Sequence, residues 1–222
     1  MADLLPLFLN LSGRTVLLVG GGPVATSKLR PLLAAGAQVR IVAPDVTAEI
    51  AAIAATALHS LAIVQRPFET GDLDGAWLVV AAATPDVNRQ VAEAAEPLRI
   101  FVNAVYDPAN ASAFLGGVVR RDGVTLAIST SGAAPALAAL LREGLDALLP
   151  RDLAAWMWQA RASRAEWRRR GVPMDKRKPL LLGALNDLYR RPEGPRHVAP
   201  ATVGQGSSPA VPWLNAPEDS WL

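Results

Sequence analysis

Three consecutive glycines, Gly20-Gly21-Gly22, follow directly on the apolar run Thr15-Val16-Leu17-Leu18-Val19 and precede Pro23-Val24-Ala25. A short apolar run that stops at glycine reads as a buried parallel strand entering a tight turn. Gly20, Gly22 and Ala25 meet the spacing G-x-G-x-x-A. In that motif small residues let the backbone approach a pyrophosphate, and the amides opening the next helix meet its charge. Ala25, Leu29, Leu32 and Leu33 fall on one side of that helix and Gly36 stops it, while Pro31 inside it removes a hydrogen bond and predicts a bend. Val39-Arg40-Ile41-Val42 is the second strand, completing a strand-helix-strand unit. Pro44 and Asp45 lie just beyond it. A carboxylate there binds a ribose 2′-hydroxyl and repels a 2′-phosphate, which favours NAD over NADP. The competing reading is a glycine turn in an α/β protein that binds no nucleotide.

The alternation continues downstream. Ala48 to Ala57 is alanine-rich and helical in character, Leu61-Ala62-Ile63-Val64 is a third strand and Trp77 to Ala81 a fourth. Pro85 to Ala95 is a helix with Val87, Val91 and Ala94 on one face, and Ile100 to Asn103 is a fifth strand. Strands separated by helices imply a Rossmann-type doubly wound parallel sheet, with ligands at the carboxyl ends of its strands. After Asn103 the pattern changes. Phe114 to Val119 and Val124 to Ser129 are strand-like, and Arg120-Arg121-Asp122-Gly123 between them signals a hairpin. Pro135 to Leu149 is an amphipathic helix, and Arg151 to Arg191 is helical with an interruption near Gly171-Val172-Pro173. The expected division is therefore a nucleotide-binding domain at 1–113, a hairpin and helix region at 114–150 and a basic helical region at 151–191. A Pro/Gly/Ser-rich tail at 192–222, without periodicity, is expected to be disordered.

Composition narrows the chemistry. The chain has no cysteine and two histidines, His59 and His197, which removes disulfides, thiolate nucleophiles and most transition-metal cages. No metal site is assigned. No apolar run approaches the roughly 20 residues of a bilayer-spanning helix, and the N-terminus lacks a secretory signal, so no membrane partner and a cytoplasmic location are expected. The net charge is only +2, yet 11 of the 22 Lys and Arg residues lie between Arg151 and Arg191. Arg161, Arg164, Arg168, Arg169, Arg170, Lys176, Arg177 and Lys178 form a cluster suited to a polycarboxylate or to nucleic acid, or else a solvated helix face. Nucleic acid is the less expected of the two partners. Trp156, Trp158 and Trp167 are core or interface anchors.

Three further segments fall at the expected ligand edge. Thr84 and Asn88, after the fourth strand, are candidates to line a nicotinamide pocket, with helix capping by Thr84 as the alternative. Asn103-Ala104-Val105-Tyr106-Asp107-Pro108, after the fifth, brings a carboxylate and a phenol, either able to transfer a proton. The alternative is a turn set by Asp107 and Pro108. Ser129-Thr130-Ser131-Gly132-Ala133-Ala134-Pro135 joins a strand to a helix and offers hydroxyls and amides to an anion, or ordinary capping.

In this order the segments resemble the precorrin-2 dehydrogenase/sirohydrochlorin ferrochelatase family, the N-terminal module of siroheme synthase. The resemblance covers residues 4 to 150. It begins with Leu5-Pro6-Leu7-Phe8-Leu9-Asn10-Leu11 leading into the glycine turn. Ala82 to Asn88 is similar to a shortened A-A-T-x-D-x-x-V-N loop, Asn103 to Pro108 to N-x-x-D-x-P, and Ser129 to Glu143 to S-x-x-G-x-x-P-x-L-A-x-x-L-R-E. The resemblance implies NAD-dependent oxidation of precorrin-2 to sirohydrochlorin by a homodimer, in some members followed by ferrous-iron insertion. By the same resemblance Asp107 and Tyr106 are the catalytic candidates. Gly20, Gly22, Pro23, Val24, Ala25, Pro44, Asp45, Thr84 and Asn88 would bind cofactor, and Asn103, Ser129, Thr130 and Gly132 would bind the tetrapyrrole. A gapless match sets the family's catalytic aspartate on Tyr106, one residue before Asp107, and the serine that often precedes the proline is Ala134 here. A tetrapyrrole-binding or delivery protein without turnover is the rival reading, and a nucleotide-sensing DNA-binding regulator a third.

Overall fold

The computed structural model describes residues 4–190; the stretch 192–222, including His197, lies outside the described residues. The chain divides into two units between Met157 and Trp158. In the first, β1 (Thr15–Val19), β2 (Gln38–Val42), β3 (Leu61–Val64), β4 (Leu78–Ala81) and β5 (Phe101–Ala104) form a parallel sheet in the order β3-β2-β1-β4-β5. The helix α1 (Pro23–Ala34) connects β1 to β2, α2 (Ala48–Thr56) connects β2 to β3, and α3 (Pro85–Ala95) connects β4 to β5. A 3₁₀ turn, Thr70–Leu73, links β3 to β4. The strand order reverses between β1 and β4, the point at which open α/β sheets bind ligands.

The central strands β1 and β4 are apolar and buried almost throughout because both faces of the sheet are covered there, whereas β2 carries Gln38 and Arg40 and β5 carries Asn103. Val16 and Leu18 of β1 point to one side with Val39, Ile41, Leu78 and Val80, against Ala25, Leu29 and Leu32 of α1 and Ile50 of α2. Leu17 and Val19 point to the other with Val42, Val79, Ala81 and Val102, against Leu73 and against Val91 and Ala95 of α3. Each of the fully buried leucines contributes roughly 1.5–3 kcal/mol over exposure. The helix α1 runs through Pro31, which is exposed and lies in its last turn, and the chain leaves it at Gly36 with φ +77°.

The hairpin departs from its expected bounds. Its strands are β6 (Gly117–Arg121) and β7 (Val124–Ile128), so Arg120 and Arg121 belong to the ladder rather than to the turn. Asp122 and Gly123 both have positive φ, +51° and +84°, and close a two-residue turn whose twist suits paired strands. The Arg121 guanidinium donates to the carbonyls of Asp146 at 2.6 Å and Leu149 at 3.2 Å, where α4 (Pro135–Leu148) ends. A cation at a helix C-terminus meets the unpaired carbonyls there. The helix α5 (Leu153–Arg169) spans the division between the units, and α6 (Met174–Arg190) lies in the second. Gly171, with φ +63°, stands between them, and Arg177 donates twice to the Val172 carbonyl, at 3.0 and 2.8 Å.

Candidate functional site

Gly20 has φ +113°, and its N–H donates to the Val42 carbonyl at 2.9 Å. A Cβ on Gly20 would collide with the Ala82 carbonyl just past β4, and one on Gly21 with the Asp45 carbonyl just past β2. These two glycines therefore let the turn sit directly against the ends of both neighbouring strands. Gly22 differs: a Cβ there would meet nothing within 4 Å. It is the N-cap of α1, Pro23 takes the first helical position, and no side chain caps the helix. Open space in front of uncapped first-turn amides is a cradle that fits a diphosphate.

The loop from β2 to α2 is tied to this turn. The Thr47 N–H donates to the Gly21 carbonyl at 2.9 Å, and the Thr47 Oγ1 accepts the Ile50 N–H at 3.2 Å as the cap of α2. The buried Thr26 hydroxyl donates to the Gly22 carbonyl at 3.0 Å, and its Oγ1 lies 2.9 Å from that of Thr47. Pro44 and Asp45 are exposed within the loop so held. Sequence reasoning missed Thr26 and Thr47 as parts of this site, and it gave Gly21 no role of its own within the turn. The legible signals were a third glycine where the motif needs only two, and a threonine immediately before a helix.

At the end of β4, Asn88 is buried and its Oδ1 accepts the Ala83 N–H at 3.1 Å, bracing the loop from within. Thr84 is exposed at the N-cap of α3, and its hydroxyl makes no capping bond. At the end of β5, the Val105 N–H donates to the Ala81 carbonyl at 2.9 Å, joining the β5 loop to β4. Asn103 is buried and its Nδ2 donates to the Ala113 carbonyl at 2.9 Å, so its amide fastens the returning chain to the strand. Tyr106 follows with φ +60° and is 83% exposed. Asp107 is half-buried at the head of a 3₁₀ turn, Pro108–Asn110, and its Oδ2 accepts Asn110 Nδ2 at 2.8 Å.

The segment before α4 closes the row. Ser129 Oγ accepts the Ser131 N–H at 3.1 Å, and Thr130 Oγ1 accepts the Ala134 N–H at 3.2 Å. Ser131 and Gly132 have φ +52° and +78°. A Cβ on Gly132 would press on Pro108 Cγ at 2.9 Å, which puts this segment against the Asp107-Pro108 turn. The glycine turn thus touches the end of β4, the end of β4 binds the β5 loop, and the β5 loop touches Gly132. One continuous edge holds the residues singled out in the sequence, although Asn88 and Asn103 serve as internal braces.

Among the described residues no group of three His, Asp or Glu side chains converges as for a metal ion, and His59 is exposed. The second unit carries the basic cluster. Arg161, Arg164 and Arg168 are exposed, and Arg169 and Arg170 pair with Glu166.

Residues 7–117 match the family described as putative NAD(P)-binding, and residues 121–148 match the sirohaem biosynthesis protein central family. Siroheme synthase 3 of Aeromonas hydrophila is 43% identical over 186 residues, covering 82% of this chain and 39% of that protein. The siroheme synthase of Citrobacter koseri is 41% identical, over 79% of this chain and 38% of that protein. The chain therefore spans about two fifths of these relatives' length. Among solved structures, SirC, a precorrin-2 dehydrogenase, superposes with a TM-score of 0.64 at 27% identity, covering 84% of this chain and 92% of that one.

Proposed function

This chain belongs to the siroheme synthase family of putative NAD(P)-binding proteins, and on that premise we propose that it dehydrogenates precorrin-2 to sirohydrochlorin with NAD, a step of siroheme biosynthesis. The likeness to SirC over nearly its whole length supports the reading. The observation that carries it is the unbroken edge from the open cradle at Gly22 to the carboxylate of Asp107.

In this reading the amides of Val24 and Ala25, uncovered by Gly20, Gly22 and Pro23, hold the pyrophosphate. Asp45, beside Pro44, accepts from the ribose hydroxyls and repels a 2′-phosphate. Bound NAD supplies a hydride acceptor. Each hydride that leaves the substrate is matched by one proton, and Asp107 takes that proton. Asn110 holds one oxygen of its carboxylate and leaves Oδ1 for the substrate. Tyr106, the residue before Asp107, is the second proton-transfer candidate. Thr84 flanks the nicotinamide while Asn88 fixes the same loop through Ala83. Ser129, Thr130 and Gly132, with Asn103 bracing β5, form the tetrapyrrole side. We assign the protein to the cytoplasm as a homodimer, supported by the exposed leucine face of α4 and by the lack, among the described residues, of a helix long and apolar enough to cross a membrane. Ferrous-iron insertion is assigned to no residue.

Anaerobic assay with precorrin-2 and NAD tests this. NADH should accumulate with the wild-type protein, and Asp107→Ala should lower the rate by about a hundredfold or more. Unchanged turnover in that variant would remove Asp107 as the base. One observation favours a second reading, a tetrapyrrole-binding protein without turnover: Tyr106 occupies the position of the family's aspartate in a gapless match. Tight binding of NAD and sirohydrochlorin by a wild type that forms no NADH would select that reading.

A further inference from the structure

The two threonines beside the glycine turn form a hydrogen-bond chain with one direction. The single proton of the Thr26 hydroxyl goes to the Gly22 carbonyl, so Thr47 must be the donor in the 2.9 Å contact between the two hydroxyls. The Thr47 oxygen is then free to accept the Ile50 N–H, as it does at 3.2 Å. The chain runs from the cap of α2 through Thr47 and Thr26 to the N-cap residue of α1. It links the first turns of two helices that are separate in sequence. The Thr47 backbone adds its own bond to the Gly21 carbonyl, and the Asp45 carbonyl packs on the Cα of Gly21.

We propose that the Thr26–Thr47 hydroxyl pair is a positioning latch that holds the Asp45 loop against the glycine turn and so sets the protein's discrimination between NAD and its 2′-phosphorylated form. The inference rests on the dinucleotide reading given above and names what enforces its preference. Asp45 is an exposed side chain on a loop, and Coulombic selection falls off as the distance between charges grows. Its carboxylate can oppose a 2′-phosphate strongly only if the loop is held near the ribose. Thr47 holds the loop to the glycine turn directly by two bonds, one made by its amide and one by its hydroxyl. An exposed ion pair between Arg30 of α1 and Glu49 in the first turn of α2 joins the two helices farther along the chain from Asp45. Of the two Thr47 bonds only the second depends on side chains. Thr47→Val and Thr26→Val each delete the hydroxyl contact while keeping a β-branched shape. Thr47→Ser restores the hydroxyl without the methyl.

Equilibrium binding of NAD and NADP to the full chain, followed by titration calorimetry without tetrapyrrole, tests the latch. In the wild type NAD should bind more tightly. In Thr47→Val and Thr26→Val the ratio of the two dissociation constants should fall by about five- to tenfold, mainly through tighter NADP binding. Thr47→Ser should keep the wild-type ratio, a rescue that loss of packing would not give. Wild-type ratios in both valine variants, with unfolding midpoints showing them folded, would overturn the latch and leave the dinucleotide site standing. If Thr47→Val does not fold, Thr26→Val cuts the same link and decides the matter. A wild type that binds neither nucleotide would instead overturn the site reading, and the latch with it.

Discussion

Tyr106 is held at φ +60°, where a side chain with a Cβ crowds its own backbone, and it gains little from the arrangement because its ring is 83% exposed. The next residue, Asp107, is the one with an ordered carboxylate, fixed by Asn110. The chain therefore tolerates a strained tyrosine directly before the carboxylate assigned the proton, a pattern found where backbone strain serves a site. Tyr106→Gly should raise stability by about 0.5–1 kcal/mol, read as a higher urea midpoint. A lower midpoint would mean that the ring makes contacts worth more than the strain. Residue roles were the hardest part to read from sequence. Asn88 and Asn103 have the polarity and position of ligand groups, yet each spends its amide on a backbone partner inside the fold. Which way a buried amide points depends on what lies opposite, and sequence spacing carries no such information. Why Gly21 must be glycine was equally silent, since its need is the close Asp45 carbonyl, a contact across more than 20 positions of chain.

The 3₁₀ turn Thr70–Leu73 shows how a single short element can be fixed by charge. Asp72, 6% exposed, accepts both terminal nitrogens of Arg66, at 2.8 and 2.6 Å, and the Glu69 N–H at 2.9 Å. Arg40 donates to the carbonyls of Asp72 and Asp74 from the other side. The Arg66 hydrogen bonds, with help from the Glu69 amide, hold the Asp72 carboxyl below the usual aspartate range despite its burial. A folded-state pKa below the unfolded value adds stability that is complete above the unfolded value and is lost as pH falls through the folded one. At neutral pH the contribution is fully present. Asp72→Asn should cost about 1–3 kcal/mol there, and urea midpoints across an acid series should converge with wild type as pH drops below the ordinary aspartate range. A constant gap down to the most acid point would dissociate the carboxylate from the effect. Elements of this size were illegible in the sequence because one turn has no periodicity to detect, whereas the parallel strands showed as short apolar runs, most completely in β1 and β4, which are buried on both faces. The hairpin lay between these cases: Asp122-Gly123 marked its turn, but charged Arg120 and Arg121 looked like loop until Arg121 proved to cap α4.

For the whole molecule, the sheet's two cores take up the buried apolar side chains of the strands and of α1 to α3, but they do not account for α4. Of its fourteen residues only Ala138 is buried, while Leu137, Leu140, Leu141, Leu145 and Leu148 are 37–66% exposed. These leucines recur at spacings of three and four, the seam along which two helices interlock, so the face is one that a second helix can cover. A second copy of the same helix would cover it symmetrically, and a leucine carried from half to full burial gains roughly 1 kcal/mol. The expected occupant is thus another copy of this chain, with α4 at the twofold axis. Leu140→Glu places a charge at the most exposed point of that seam. It should leave the helical circular-dichroism signal unchanged and shift the sedimenting species from dimer to monomer. Because the segment Ser129 to Ala134 leads directly into α4, the same variant should also weaken binding of sirohydrochlorin more than binding of NAD. A wild type that sediments as a monomer, or a variant that remains dimeric, would show that this face is not the seam.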